Sequence, residues 1–291
     1  LNVRPPTLAR TFTYDDGSPR LKHVIEPFLN YRNISGVDNF ARIIRFDARD
    51  TVANTNELEY GVVNRFFVPR IAVDGSISTH EMLSISLTQK YFFDTDFGGA
   101  LQPGMRNQFF PINTLSGFSF GGRERRFSPL NLNLRYRPLS SLSADLRMDY
   151  DTLAQKVRNF SVTGSMSRRY FTISERFYHS TQLQISPGMI EPGSFPGSLL
   201  VSNLSLGNER NGYYGGTSFT YDFTERRDAR TGLTSREGLR RSSTYIGYAC
   251  DCGTIEVSFT TFNVGGFRES RISFSFTLSG IGSFGTDRLQ Q

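Results

Sequence analysis

The sequence LSADLRMDYD at residues 142–151 alternates between apolar and polar side chains at every position. Successive side chains of a β-strand point to opposite faces, so this segment predicts a strand with one apolar face and one charged face. The same period of two recurs in five other segments, at residues 83–88, 130–137, 218–223, 255–260 and 272–278. Such repetition predicts an all-β protein.

Weaker patterns extend this prediction along the whole chain. Dipeptides typical of turns, such as Asp74-Gly75 and Asn211-Gly212, separate the apolar segments, and no window shows helical spacing. We therefore predict about fifteen strands in one antiparallel sheet system over residues 1–291. The further strands are expected near residues 8–14, 21–32, 56–67, 115–122, 157–166, 169–178, 181–187, 199–207 and 240–249.

Composition excludes several classes of protein. The chain of 291 residues has 26 Phe and 13 Tyr, which excludes disorder over most of its length, and a mean hydropathy of −0.35, which excludes a helical membrane protein. The net charge is +6, but the arginines that supply most of it are spread singly along the chain, which disfavours nucleic-acid binding. His23, His80 and His179 lack a catalytic or metal-binding context, so we predict no enzyme, cofactor or metal site.

Two architectures explain the alternation, and an antiparallel transmembrane β-barrel is favoured over a soluble β-sandwich. Charge lies deep inside strands, the apolar faces run for about nine to eleven residues, which is the length of a tilted spanning strand, and aromatic residues recur at strand ends, as at 91–93. A porin-like channel for small solutes and a soluble sandwich binding module remain alternatives. In the barrel interpretation, the polar residues expected to face the lumen are Arg135, Arg137, Asp145, Arg147 and Arg158.

Four segments carry a resemblance to a known family. HVIEPFLNY at 23–31, NTNELEYGVVNRFF at 54–67, YACDC at 248–252 and LSGIGSFG at 278–285 follow one another in the order found in the LptD family of outer-membrane lipopolysaccharide-assembly proteins. The chain thus resembles the C-terminal part of that family's barrel. The positions that match the family motifs are His23, Pro27, Tyr31, Asn56, Tyr60, Gly61 and Arg65.

The resemblance implies a function and a location. It implies a non-enzymatic translocon in the outer membrane of a Gram-negative bacterium, which inserts lipopolysaccharide (LPS) into the outer leaflet through a lateral seam of the barrel. Its partners would be LPS, an LptE-like lipoprotein plug, and periplasmic bridge proteins reached through an N-terminal jelly-roll domain that this chain does not contain. Residues 270–280 would form the last strand, at the seam, with the apolar positions Ile272, Phe274, Phe276 and Leu278.

Two details of the resemblance concern single residues. In the family, a cysteine pair just before a strand bonds to cysteines outside this part of the chain, which would be the role of Cys250 and Cys252. The family pair is often adjacent, whereas Asp251 separates the two here. Two free thiols are the alternative, and a bridge between the two would be strained. Pro27 cannot donate a ladder hydrogen bond, so we expect a bulge or irregular place there.

Overall fold

Fifteen β-strands make up the regular structure of the computed structural model, which describes residues 1–36, 54–71, 75–93, 126–153, 155–180, 197–207, 211–227, 234–264 and 267–285. None of these residues lies in a helix long and apolar enough to cross a membrane. The strands are β1 Asn2–Val3, β2 Leu8–Thr13, β3 Pro19–Ile34, β4 Thr55–Ile71, β5 Ile77–Phe92, β6 Leu130–Leu139, β7 Leu142–Asp151, β8 Lys156–Arg168, β9 Phe171–Ser180, β10 Gly197–Gly207, β11 Gly212–Arg227, β12 Thr234–Cys250, β13 Gly253–Val264, β14 Phe267–Leu278 and β15 Gly282–Gly285.

The strands pair mostly with their neighbours in sequence. The order is β1-β3-β4 and then consecutively to β15, with β2 paired to β3 beside β1. Pairing is antiparallel wherever its register is described. Chain contacts divide the protein into two compact units. The first comprises Leu1–Pro138, Asp145–Phe160 and Ser180–Phe195, and the second comprises Leu139–Ala144, Ser161–His179 and Pro196–Gln291.

The predicted all-β antiparallel fold is confirmed, and the strand positions follow the alternating segments closely. The segment at 142–151 forms β7 with the predicted bounds. Two short strands, β1 and β15, were not predicted because two to four residues are too few to show a period of two. The strands predicted near 115–122 and 181–187 lie outside the described residues.

Burial runs opposite to that of a water-soluble protein. Among the described residues, the buried apolar side chains are few: Val24, Phe92, Pro129, Tyr214 and Ala249. In β14, Ile272 is 60% exposed while its neighbour Ser273 is 6% exposed. A soluble sandwich would pack its apolar faces together, so the described residues do not form one. The buried polar side chains are Glu57, Ser128, Asn131, Asp149, Asp151, Asn159, Ser180, Ser202, Asp222 and Ser273.

The expectation that residues 270–280 form the last strand is wrong. β14 ends at Leu278, and β15 turns back to pair with Ser275–Leu278. The reversal is possible because Gly280 and Gly282 have φ of 78° and 135°, which glycine adopts without the steric cost that other residues meet. The turn closes with a hydrogen bond from the backbone N–H of Ile281 to the carbonyl of Leu278.

Pro27 does not create a bulge between β3 and β4, because the register runs without interruption through the Pro27–Val62 pair. The irregular place is on the other edge of β3. There β1 pairs at Val3–Leu29 and β2 begins again at Leu8–Ile25, so the unpaired residues 4–7 lie opposite residues 26–28. This unpaired segment has the sequence RPPT, whose two prolines also lack an N–H to donate.

Gly61 allows β3, β4 and β5 to approach closely, and this predicts the effect of a single methyl group. A Cβ at this position would lie closer than 3.0 Å to the carbonyl oxygen of Leu87 and to the ring of Phe28. We expect Gly61→Ala to lower the free energy of unfolding by about 1–3 kcal/mol, because the backbone must shift. Gly164→Ala is the matched control, since its Cβ would meet nothing within 4 Å. Denaturant titration of both variants measures the difference, and equal stabilities would contradict the steric explanation.

Candidate functional site

The candidate functional site is the polar face of the sheet, defined here as the face that carries the charged and hydroxyl side chains of the alternating strands. Its side chains join across strands through ion pairs and hydrogen bonds. In the first unit these contacts form three clusters, one around Arg65, one around Lys90 and one around Asp149. In the second unit the polar face carries an acid–base pair and a tyrosine–glutamate pair.

Arg65 is the centre of the first cluster. Its Nε atom lies 2.9 Å from Oε2 of Glu26, and its Nη1 atom lies 2.7 Å from Oε2 of Glu81. The three residues lie on β4, β3 and β5, so one guanidinium links three adjacent strands. A guanidinium presents several donors in a fixed plane, which suits this double pairing. This places the family-motif residue Arg65 in the wall of the sheet, where it joins strands.

Lys90 holds the second cluster near the other end of the same strands. Its ammonium group lies 2.9 Å from Glu57 and 3.7 Å from Glu59, and Glu59 also accepts a hydrogen bond from the side chain of Asn30. Ser128 adjoins this cluster, and its hydroxyl accepts the backbone N–H of Lys90. An aromatic group lies at the same strand ends and comprises Tyr31, Tyr91, Phe93 and Phe127, with ring centroids 5.1–6.0 Å apart.

The third cluster is a row of polar side chains, which we call the polar ladder: Asn133, Asn131, Asp149, Asn159 and Ser180, all but Asn133 buried. It crosses β6, β7, β8 and β9. The amides of Asn131 and Asn159 donate to the two carboxylate oxygens of Asp149, at 2.8 and 2.9 Å. Asn133 and Ser180 donate to the amide oxygens of Asn131 and Asn159, which fixes both amides as donors toward Asp149. In each of these four hydrogen bonds, the acceptor is therefore Asp149 or the residue nearer to Asp149.

The predicted lumen residues fall into different environments. Arg158 pairs with the fully buried carboxylate of Asp151 at 2.9 Å. Arg135 pairs with Asp145 at 3.5 Å, and both side chains are more than a third exposed. Arg137 contributes its backbone carbonyl to His80, and Arg147 is exposed on β7. The five residues therefore lie on the neighbouring strands β6, β7 and β8, where two ion pairs form, Arg135 with Asp145 and Arg158 with Asp151.

Several residues of the polar face were not predicted from the sequence. Asn131 and Asn159 are uncharged, and asparagine is a residue type common in loops. Lys90 is one of many charged residues in the chain. In the second unit, Arg240 pairs with Asp222, whose side chain is 2% exposed. Only the register between strands brings such residues together, and a single sequence does not supply the register.

The remaining family-motif residues also support the wall of the sheet. His23 stacks on Phe66 with ring centroids 4.3 Å apart and contacts Asn64 through Nε2 at 3.1 Å. The hydroxyl of Tyr60 donates to Gln89 at 2.6 Å, on the neighbouring strand β5. The backbone carbonyl of Asn56 accepts the N–H of Phe93. These contacts explain the motif positions as cross-strand packing.

Cys250 and Cys252 bond to each other in the structure, which differs from the bonding outside this chain that the resemblance implied. Their Cα atoms lie 5.2 Å apart, within the range of disulfides. The pair closes the short turn between β12 and β13, where Cys250 also pairs in register with Gly253. The expectation of two free thiols is therefore wrong, because the turn brings the two side chains together.

The function of the site cannot be assigned from a metal centre or from similarity to a curated protein. No group of three or more His, Cys, Asp or Glu side chains in the described segments could hold a metal ion. No curated protein matches the sequence. A mutant of the Rh. blastica porin aligns over 96% of this chain and 90% of its own, with 8% sequence identity and a TM-score of 0.35. A similarity of that size does not establish a shared fold.

A family profile gives the informative comparison. The profile of the family described as LptD, LPS transport system D, matches residues 21–189, which is more than half of the chain. The matched range begins in β3 and includes all three clusters of the first unit. The N-terminal strands β1 and β2 lie outside it.

Proposed function

The chain belongs to the LptD family, and from this premise we propose that it forms the C-terminal part of a transmembrane β-barrel that inserts LPS into the outer leaflet of a Gram-negative outer membrane. One observation carries the proposal, namely that apolar side chains are exposed while polar neighbours are buried. Phe223 is 41% exposed and Asp222 only 2%, and Ile272 is 60% exposed while Ser273 is 6% exposed. A lipid environment on the apolar side and a hydrated lumen on the other account for this arrangement.

The polar face would line the lumen. Burying an unpaired charge is costly, and the described carboxylates of the clusters are met by arginine, lysine or amide donors. Such a wall gives the saccharide part of LPS a polar path, while the acyl chains remain on the lipid side. Nothing in this role requires bond-making chemistry by the chain, so the proposed function is not enzymatic.

The lateral seam would involve β14. Its residues Ser275–Leu278 pair with β15, and the whole strand pairs with β13. The two strands β14 and β15 lie at the end of the strand order, and a strand at the edge of a sheet can pair with a further strand. We place the first strand of the barrel, from the part of the protein ahead of this chain, along this edge. The exposed side chains Ile272, Phe274 and Phe276 would then meet lipid at the seam, close to Leu278 at its end.

The partners follow from the family premise. We propose LPS as the transported substrate, an LptE-like lipoprotein as a plug against the polar face, and periplasmic bridge proteins that deliver LPS through an N-terminal jelly-roll domain. In that assembled protein, Cys250 and Cys252 would be the family's cysteine pair, and bonding to cysteines of the jelly-roll domain would require the bond between them to open.

Crosslinking tests the seam in the full-length protein. A cysteine at Ser270 paired with one on the first strand should crosslink and stop the delivery of LPS to the cell surface, because the acyl chains can no longer leave sideways. The control pair Thr260→Cys and Arg271→Cys joins Cα partners of β13 and β14, which need not separate. The amount of LPS at the cell surface is measured by labelling the LPS of intact cells. Normal surface LPS after complete crosslinking of the seam would contradict the proposal.

A further inference from the structure

A small cavity opens on the polar face of the second unit. It has a volume of about 320 Å³ and is lined by Tyr214, Tyr245, Thr254 and Glu256, from β11, β12 and β13. This volume is at the low end of the roughly 300–1,000 Å³ typical of sites for small ligands. The hydroxyl of Tyr214 donates to Oε2 of Glu256 at 3.2 Å, so the carboxylate is already oriented within the cavity.

Two glycines make room for the tyrosine rings. Tyr214 is the register partner of Gly247, and Gly216 is the register partner of Tyr245, two positions further along the same strands. A Cβ on Gly247 or on Gly216 would lie closer than 3.0 Å to the facing tyrosine ring. Each ring therefore lies on the backbone of the neighbouring strand, which keeps it low against the sheet. The ring centroids are 6.2 Å apart and the planes are inclined by 55°.

The surroundings of the cavity are rich in hydroxyl groups. Ser258 is the register partner of Tyr245, and Ser275 is the register partner of Glu256, both on the same face. None of the four described lining residues is basic, and Glu256 would repel a phosphate group. Aromatic surface, a carboxylate acceptor and hydroxyl groups together match a ligand with apolar C–H faces and many hydroxyl groups.

We propose that this cavity binds an uncharged sugar ring, with the ring against Tyr245 and its hydroxyl groups donating to Glu256. The proposal rests on the proposed function, since it gives the polar face a saccharide subsite along the path of LPS. It also assigns the subsite to the sugar part of that molecule and excludes the phosphate groups. The Tyr214 hydroxyl positions the carboxylate, and Thr254 supplies a further hydroxyl at the edge of the cavity.

A binding measurement tests the subsite on the full-length protein in detergent micelles. The probe is delipidated and dephosphorylated core oligosaccharide, and titration calorimetry gives Kd. We expect Glu256→Ala and Tyr245→Leu each to weaken binding by about tenfold or more, as for a lost hydrogen bond to a charged group or a lost aromatic contact. Tyr213→Leu is the matched control, because Tyr213 neighbours Tyr214 in sequence but is 78% exposed on the apolar face.

The outcomes separate this subsite from the proposed function. Tyr245→Phe keeps the ring over Gly216 and is expected to bind the oligosaccharide as the wild type does. Glu256→Ala alone carries the test if Tyr245→Leu does not assemble, as judged by heat-modifiable migration on gels. No binding of the oligosaccharide to the wild-type protein, unchanged binding by both cavity variants, or tighter binding of choline or inorganic phosphate would each overturn the subsite. If the subsite is overturned but depletion of the protein lowers surface LPS, the transport function is still supported. If depletion leaves surface LPS normal, the transport function is overturned, whereas the measured sugar binding is not.

Discussion

Replacing Phe259 with arginine is expected to prevent stable insertion of the sheet, whereas the same replacement at Ser258 is expected to be tolerated. Phe259 lies near the middle of β13 on the apolar face and is 49% exposed, and Ser258 lies beside it on the polar face. If the apolar face meets acyl chains, an arginine there costs about 2–4 kcal/mol at mid-depth. At Ser258 the same side chain would face the hydrated side and lie beside Tyr245, with which it can make a favourable cation–π contact.

The pair of variants isolates the direction of the two faces from the general effect of a charge. Both substitutions introduce the same residue at adjacent positions of one strand, so the net charge changes equally. The fraction of folded barrel in the outer membrane, measured by heat-modifiable migration on gels, reports the outcome. If Ser258→Arg lost more folded protein than Phe259→Arg, the apolar face would be the packed interior, and the membrane assignment would be wrong.

Local periodicity explains why the strands could be predicted from the sequence. In β7 the ten residues alternate without exception, and the predicted and observed bounds coincide. Side-chain direction in a strand depends only on neighbouring residues, so one sequence is sufficient. The same argument fails for β15, which has four residues and follows a glycine-rich turn. It is the hydrogen bonds to β14 that define this strand, and its composition does not.

The contacts of the site depend on information that alternation does not contain. Asn131 and Asp149 are 18 residues apart, and Asp149 and Asn159 are 10 apart, yet they form one row because three strands align in register. A shift of one residue would move these side chains to the other face. The same holds for the reciprocal packing of Tyr214 on Gly247 and Tyr245 on Gly216. The Cys250–Cys252 bond was missed because the family comparison pointed outside this chain, while the local turn determines the pairing.

The polar ladder provides the second large effect. We expect Asp149→Ala to lower the free energy of unfolding by about 2–5 kcal/mol, because the amides of Asn131 and Asn159 would each lose a buried acceptor. Asn133 and Ser180 already occupy the amide oxygens, so rotating the amides would break those bonds in turn. Asp149→Asn should lose less, since one of the two donors keeps an acceptor. Denaturant titration in lipid vesicles measures all three proteins.

Asp145→Ala is the matched control for this prediction. Asp145 lies on the same strand and the same face, but its contact with Arg135 spans 3.5 Å and both side chains are more than a third exposed. An exposed pair of this kind contributes at most about 1 kcal/mol. Equal losses for Asp145→Ala and Asp149→Ala would show that the ladder stabilises the sheet no more than a surface ion pair. A larger loss of unfolding free energy for Asp149→Ala than for Asp145→Ala would show that the polar ladder holds β6 to β9 in register. That register keeps the charged side chains of these strands on the face proposed to line the lumen.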